Sequence, residues 1–397
     1  MYFREKKNKK WQKKFIKDVF KNGSKYNNNY SKIILDNLEL LNTKNEYLPK
    51  YLFKYYATTT ENILDIRNKR LWLSHPSQFN DPFDCNIGFD KDKYEKKCLL
   101  EYIKQEKTVT EKDKAHGFTI EDKNRILRSL SNEINYWSSK IESYFDAKRE
   151  ILDSKDKQFK QKIENYLFQK TKDLDNKVEK IKSIDIRISC FSNFNKYDEF
   201  YKQIVMWSHY ADNHKGFCVE YDLSSLKEET NFSLKNYQFY DNKDVYLNER
   251  LKAIIKAGLF PVEYTANRVN IPVSLLKKIN DLNSNIQRKN IEEHIYKAYV
   301  VKSANWNYEK EWRLIVNDQV SQYYGNKIPF PFAKKIYLGC KADNLLIDTM
   351  MAIGKEIGAE VTILKMDNKK FILEEKYSWE SEYKYQRELR MIGNPYD

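Results

Sequence analysis

The apolar positions of this chain first follow a helical rhythm. Trp11, Phe15 and Val19 fall at i, i+4 and i+8 within residues 8–20, which predicts a basic amphipathic helix. A polar break at 22–30 and a short helix-like run at Lys32–Asn42 follow. The rhythm then changes to strands. Tyr51–Tyr56 reads as a strand, and Asn62–Asn68 as a helix capped by one of Thr58, Thr59 and Thr60, with Glu61 favouring its first turn. Arg70–Ser74 is the next strand. Its continuation, PSQFNDPFD, carries two prolines and an Asn-Asp pair and must be a structured loop.

Residues 91–182 have a different character. Of these 92 residues 41 are charged, 23 basic and 18 acidic, and apolar residues recur at helical spacing without a proline. This predicts two or more long charged helices, an antiparallel hairpin inserted into the main fold, with its turn near Ala115, His116 and Gly117. Beyond Ile184 the strand rhythm returns. Strands are expected at Ile186–Ser192, Gly216–Tyr221, Leu259–Tyr264, Glu311–Val316, Lys335–Leu338 and Glu360–Leu364. Helices are expected at Glu199–Tyr210, across 272–300 and at Asp343–Gly354, and Phe371–Met391 reads as a polar helical tail. The fold class is α+β with one large insertion. No internal repeat is visible.

Composition narrows the classes. The 397 residues are 41% hydrophobic, with 30 Tyr, 21 Phe and 7 Trp, so an aromatic-rich core can be built in one elaborated domain or two. With 10 Gly and 8 Pro, collagenous and linker-like classes are excluded. Net charge is +14, and residues 1–25 hold ten Lys/Arg against two acids, which favours anionic partners such as nucleic acid; a solubilising surface is the plainer alternative. No run of 18 apolar residues predicts a membrane span, and no apolar leader predicts secretion. The five cysteines are odd in number and lack a CxxC pair, which suits a reduced cytoplasm and no bound metal.

The candidate chemistry gathers in three stretches, Leu71–Asp84, Ile204–Asp222 and Asn307–Val316. No glycine-rich phosphate loop and no nucleophile elbow occurs. Asp81, Asp84, Glu220 and Glu311 could supply a metal-dependent nuclease, although nothing in their spacing forces convergence. His209 and His214 suit acid–base work or simple packing and capping. Trp207, Tyr210, Phe79 and Trp312 could stack a flat ring or fill the core. Glu311 begins a strand with Arg313 on the same face by period two. The pair is either a catalytic carboxylate with a phosphate-binding arginine, or a surface ion pair of little worth.

These words resemble a bacterial family of domains of unknown function. The matching words are Leu52–Tyr56, FNDPFD at Phe79–Asp84, CFS at Cys190–Ser192, MWSHYADNHKGFCVEYD at Met206–Asp222 and YEKEWRL at Tyr308–Leu314, over roughly residues 50–340. The order of parts also resembles the ADP-ribosyltransferase superfold, in its DNA-modifying toxin branch. That resemblance implies a mixed-sheet catalytic domain over about 50–365, a basic helical extension at 1–49, the insertion at 91–182 and a polar tail at 366–397. It implies NAD as substrate, with Glu311 as the catalytic glutamate. Lys54, Tyr56, Ser74, Trp207, Tyr210 and Arg313 are then expected to hold NAD, and Asn80, Asp81, His209 and His214 to meet the second substrate. Where the branch carries a first-strand histidine or arginine, this chain has Lys54, Tyr55 or Tyr56. The Ser-Thr-Ser word of some relatives is absent, with Ser74 the nearest match. The implied function is a toxin-like or anti-phage defence effector, an ADP-ribosyltransferase or NAD glycohydrolase acting on a macromolecule, with nucleic acid the favoured target and a cognate antitoxin or defence partner. The alternative is a nucleic-acid-binding protein or metal-dependent nuclease without NAD chemistry. Glu311→Gln is expected to cost on the order of a hundredfold or more in rate at little cost in stability, and Glu309→Gln to matter less.

Overall fold

A computed structural model describes residues 47–104, 121, 157–182, 186–194, 197–227, 243–276, 294–317, 320 and 323–376. The expected helices at 8–20 and Lys32–Asn42, the turn at 115–117 and the tail beyond residue 376 lie outside the described residues. The chain divides into two compact units. One comprises Met1–Asn86, Asp185–Arg268 and Tyr296–Asp397, and the other Ile87–Ile184 and Val269–Ile295.

Fourteen strands occur among the described residues: β1 (Tyr51–Tyr56), β2 (Arg70–Trp72), β3 (Gly88–Phe89), β4 (Ile186–Ser192), β5 (Phe217–Asp222), β6 (Leu259–Pro261), β7 (Glu263–Thr265), β8 (Asn270–Ile271), β9 (Val301–Ser303), β10 (Glu311–Asn317), β11 (Lys327–Pro329), β12 (Ala333–Leu338), β13 (Glu360–Met366) and β14 (Leu373–Glu375). Eight form one mixed sheet in the order β14-β13-β12-β5-β1-β4-β10-β6. Only β12 and β13 run parallel within it, joined by the helix Asn344–Ile357. That helix begins where the Asp343 carboxylate accepts from the Leu346 N–H at 2.8 Å and ends at Gly358, whose φ of 79° is left-handed.

The sheet buries aromatic residues on both faces, as alternating strands with few polar breaks must. Phe53 and Tyr55 of β1, Cys218 of β5 and Tyr337 of β12 point to one side, against Phe194, Phe200, Met206 and Trp207. Tyr56, Phe191, Tyr221 and Phe330 fill the other side through stacked and edge-on rings. The helices over the first face are two short ones, Tyr197–Tyr201 and Ile204–Tyr210, where the pattern predicted one. Leu373–Glu375, expected in a helical tail, pairs with β13 instead. Its Leu373 is buried in the core cluster, a gain that outweighs the polar composition around it. A helix at Lys243–Gly258 was not anticipated.

In the second unit the helices Lys91–Lys104 and Lys157–Lys182 bury Cys98, Tyr166, Leu167, Leu174 and Val178. β3 pairs with β8 in parallel. The Lys97 ammonium donates to the Val273 carbonyl at 3.0 Å.

Candidate functional site

The site is built where β10 begins. A 3₁₀ turn, Ala304–Glu309, starts on Ser303, whose hydroxyl accepts from the Asn305 N–H, and ends at Lys310 in the left-handed region with φ 47°. A lysine in that region costs about 1–2 kcal/mol, so the surrounding contacts hold it there. The kink lets Glu309 and Glu311 reach one ammonium. Lys302, on β9, donates to Glu309 Oε2 at 2.6 Å and to Glu311 Oε2 at 3.0 Å. Lys302 is placed by the pairing of β9 with β7, where it lies opposite Tyr264, and the Tyr264 hydroxyl accepts from the Glu311 N–H at 2.8 Å.

Arg313 closes the network from below. Its Nε donates to Glu311 Oε1 at 2.7 Å, and Nη2 donates to Asp84 Oδ2 at 2.7 Å and Glu311 Oε2 at 3.2 Å. Nη1 donates to the Tyr299 carbonyl at 2.9 Å and to Cys85 Sγ at 3.1 Å, so all five N–H groups are engaged. The Phe79 ring lies 5.5 Å from the guanidinium. Asp84 is delivered by the FNDPFD loop, in which the Asp81 carboxylate accepts from the Phe83 N–H at 2.9 Å and the Asp81 carbonyl from the Asp84 N–H. Cys85 follows with a left-handed φ of 55°.

The network is deep. Arg313 is 0% exposed, Glu309 3% and Glu311 4%, with Lys302 and Asp84 also buried. Three carboxylates and two cations are bonded to one another here, and the charge of Glu311 also reaches the buried Lys54 ammonium. Burial opposes the ionised form of Glu311, but Arg313 and Lys302 overcome it and hold its carboxyl well below the usual range. Burial and the charge of Glu311 push Glu309 up to about 7, against the pull of Lys302 and Tyr210. Burial alone would discharge Lys302, yet its three carboxylate neighbours raise it. Burial keeps Cys85 and Cys190 as neutral thiols.

From Glu309 the site leads outward. The Tyr210 hydroxyl donates to Glu309 Oε1 at 2.6 Å, and Asn80 hydrogen-bonds the same tyrosine. Tyr210 is half-buried, as are Trp306 and Tyr308, while His209 is exposed. His209, Trp306 and Tyr308 form a ring cluster with centroids 6.0–6.5 Å apart, and the Tyr308 hydroxyl lies 3.3 Å from His209 Nδ1. The Lys302 ammonium lies 5.0 Å from the Trp306 ring centre.

The structure thus brings together Glu311, Arg313, Tyr210, Asn80 and His209 from the expected set. Asp81 shapes the loop that carries Asp84. The other five expected residues make different contacts. Lys54 and Tyr56 alternate with Phe53 and Tyr55, which puts them on the opposite face of the sheet. There Lys54 donates to the Cys190 carbonyl at 3.1 Å, next to the single β1–β4 pair, Phe53 with Ser192, and burial lowers its pKa. Tyr56 bonds the Tyr221 hydroxyl at 2.6 Å. Ser74 makes a backbone bridge to Ile188 and accepts from Trp72 Nε1. Trp207 is fully buried, edge-on to Tyr55, because its helix turns it into the core. His214 stacks on Trp207, and its Nε2 lies 3.1 Å from the Ser208 hydroxyl. It ends a run of three left-handed residues, Asp212, Asn213 and His214. Gly216 and Gly339 close that turn, for a Cβ on either would stand 2.1 Å from a carbonyl oxygen, that of Tyr56 or His214. Of the four carboxylates considered for a metal, Glu220 instead accepts from the Tyr337 hydroxyl at 2.8 Å. Among the described residues no group of three His, Cys, Asp or Glu is arranged to hold a metal ion.

Lys302, Trp306 and Tyr264 were not anticipated, and nothing local marks them. Glu309 lay in a recognised motif without a role of its own. All five cysteines are free, and among the described residues no helix is long and apolar enough to cross a membrane. No curated protein and no solved structure matches the chain. The family comparison does find a match, and it falls on the core of the site: residues 206–314, which carry His209, Tyr210, Lys302, Glu309, Glu311 and Arg313, match the family described as Protein of unknown function (DUF2971).

Proposed function

We propose that this chain is an enzyme of glycosyl transfer, an ADP-ribosyltransferase or NAD glycohydrolase in which NAD is the substrate. The observation that carries this reading is the meeting of three distant sequence words, Phe79–Asp84, Met206–Tyr210 and Tyr308–Arg313, on two neighbouring carboxyls whose surroundings push their pKa values in opposite directions. Pairs of carboxyls whose surroundings drive their pKa values apart are the usual equipment for breaking a glycosidic bond. In that chemistry the nicotinamide–ribose bond breaks with its electron pair going to the ring nitrogen, which becomes neutral. The ribose carbon gains positive character. Glu311, ionised and fixed by Arg313 and Lys302, is the anion that stabilises it, an effect worth on the order of a hundredfold in rate. Arg313 serves here by holding Glu311, since its donors are all engaged within the protein.

Coarsely the fold is α+β with a large mixed sheet. Our reading of it as ADP-ribosyltransferase-like rests on the order of parts: a first strand followed by a capped helix, and a late strand that opens on the glutamate. The acceptor we favour is nucleic acid, on the net charge of +14, and the biological role that of a toxin-like or defence effector. The test is to incubate the pure protein with NAD, alone and with DNA, RNA or cell lysate, and to follow nicotinamide. Release that Glu311→Gln removes supports the reading. No release under any condition, together with metal-dependent cutting of nucleic acid, would favour a nuclease instead.

A further inference from the structure

We propose that Tyr210 and Glu309 form a proton relay, through which the incoming acceptor of the reaction loses its proton. The inference rests on the proposed glycosyl transfer for its chemistry, and on geometry alone for its residues. Of the three buried carboxylates in the network, Glu309 has the fewest ties. Asp84 and Glu311 both bind the Arg313 guanidinium, whereas Glu309 has Lys302 on one oxygen and the Tyr210 hydroxyl on the other. It is therefore the carboxylate of the three held least firmly as an anion and the one able to take up a proton, in keeping with the upward push from burial and Glu311. The charged and titratable groups that bear on it are Lys302 from β9, Glu311 from β10, Tyr210 from the helix Ile204–Tyr210, and Tyr308 and Tyr264 from the turn and β7.

Tyr210 connects this carboxylate to the surface. It is half-buried, beside exposed His209, and Asn80 hydrogen-bonds it. Burial and Glu309 push its own pKa upward, so it acts as a neutral hydroxyl and passes protons rather than storing them. The step balances as follows. The acceptor oxygen (of water, or of a macromolecule) forms its bond to the ribose carbon as the bond to nicotinamide breaks. The acceptor's proton goes to the Tyr210 oxygen, and the Tyr210 proton goes to ionised Glu309. No oxidant or metal enters the balance. General-base assistance of this kind is worth about 10²–10⁴ in rate.

Two measurements test the relay. The first is infrared titration of the buried carboxyl, which needs no activity. A protonated carboxyl band that fades as pH rises through about 7, is absent in Glu309→Gln, and fades at higher pH in Tyr210→Phe is the expected result. No titrating band, or a band unmoved by Tyr210→Phe, overturns the relay even if NAD is cleaved. The second is the pH–rate profile of nicotinamide release. The parent rate should climb through the same pH range. Glu309→Gln and Tyr210→Phe should each lose about a hundredfold and flatten the climb, while thermal unfolding shows Tyr210→Phe folded. An inflection that persists in both variants overturns the relay while leaving glycosyl transfer standing. Conversely, the expected infrared titration without nicotinamide release would support the proton-exchanging pair and count against NAD as its substrate.

Discussion

Arg313→Met is the sharpest perturbation of the network. The side chain is fully buried and makes five donor contacts, three of them to carboxylates. Methionine fills much of the volume but leaves Asp84, Glu309 and Glu311 with Lys302 as their only cation in the network. Removing one partner of a buried ion pair costs about 3–5 kcal/mol, because the remaining charge stays desolvated. Against a total stability of about 5–15 kcal/mol this is a large fraction. The stranded carboxylates can take up protons, so the loss should be smaller at about pH 5 than at about pH 8. Urea unfolding followed by tryptophan fluorescence at the two pH values measures both effects. Arg67→Met is the internal control, since Arg67 and Glu356 form a pair at 2.9 Å that is about half exposed on each side. Such pairs contribute about 0–1 kcal/mol. If Arg313→Met costs no more than Arg67→Met, the buried network described above is wrong.

Glu311→Gln should reduce nicotinamide release on the order of a hundredfold, and by removing the neighbouring charge it should also lower the pKa of Glu309 in the infrared titration; it should further cost stability, against the expectation from sequence, since Glu311 is buried and accepts three charge-assisted hydrogen bonds. Glu309 has a folded pKa raised above that of the unfolded chain, so its contribution to stability is present below about 4.3 and lost as pH rises to about 7. The parent should therefore lose stability across that window by more than Glu309→Gln does, and parallel unfolding midpoints in the two proteins would contradict this. Lys302→Met, which leaves Glu309 with no cation bonded to it and Glu311 with Arg313 alone, should cost about 3–5 kcal/mol by the same unfolding assay. Gly216→Ala forces a Cβ against the Tyr56 carbonyl and should cost at least about 1–3 kcal/mol in thermal unfolding, with an unchanged melting temperature as the contrary outcome.

Local order was legible without coordinates. Runs of aromatic and β-branched residues fix β1, β4, β5 and β10 nearly to the residue, because strand periodicity and β propensity are properties of neighbouring positions. Asp343 and Thr59 announce helix starts for the same reason. The three words that line the site were recognisable as unusual, and Glu311 with Arg313 stood out on period two alone. Their environment was not legible. A charged pair at a strand mouth reads as exposed, yet Arg313 reaches Asp84, 229 positions away, and that contact is what permits its burial. Lys302 carried no sign at all, since its role comes from lying opposite Tyr264 across β7 and β9. Which face each β1 residue serves depends on the register of β1 against β4 and β5, so the placing of Lys54 on the Cys190 carbonyl could not be read from spacing. Periodicity along one segment determines the elements and their apolar sides. Only the closing of distant segments decides which charges lose their water together, and so drives the pKa values of two neighbouring glutamates apart.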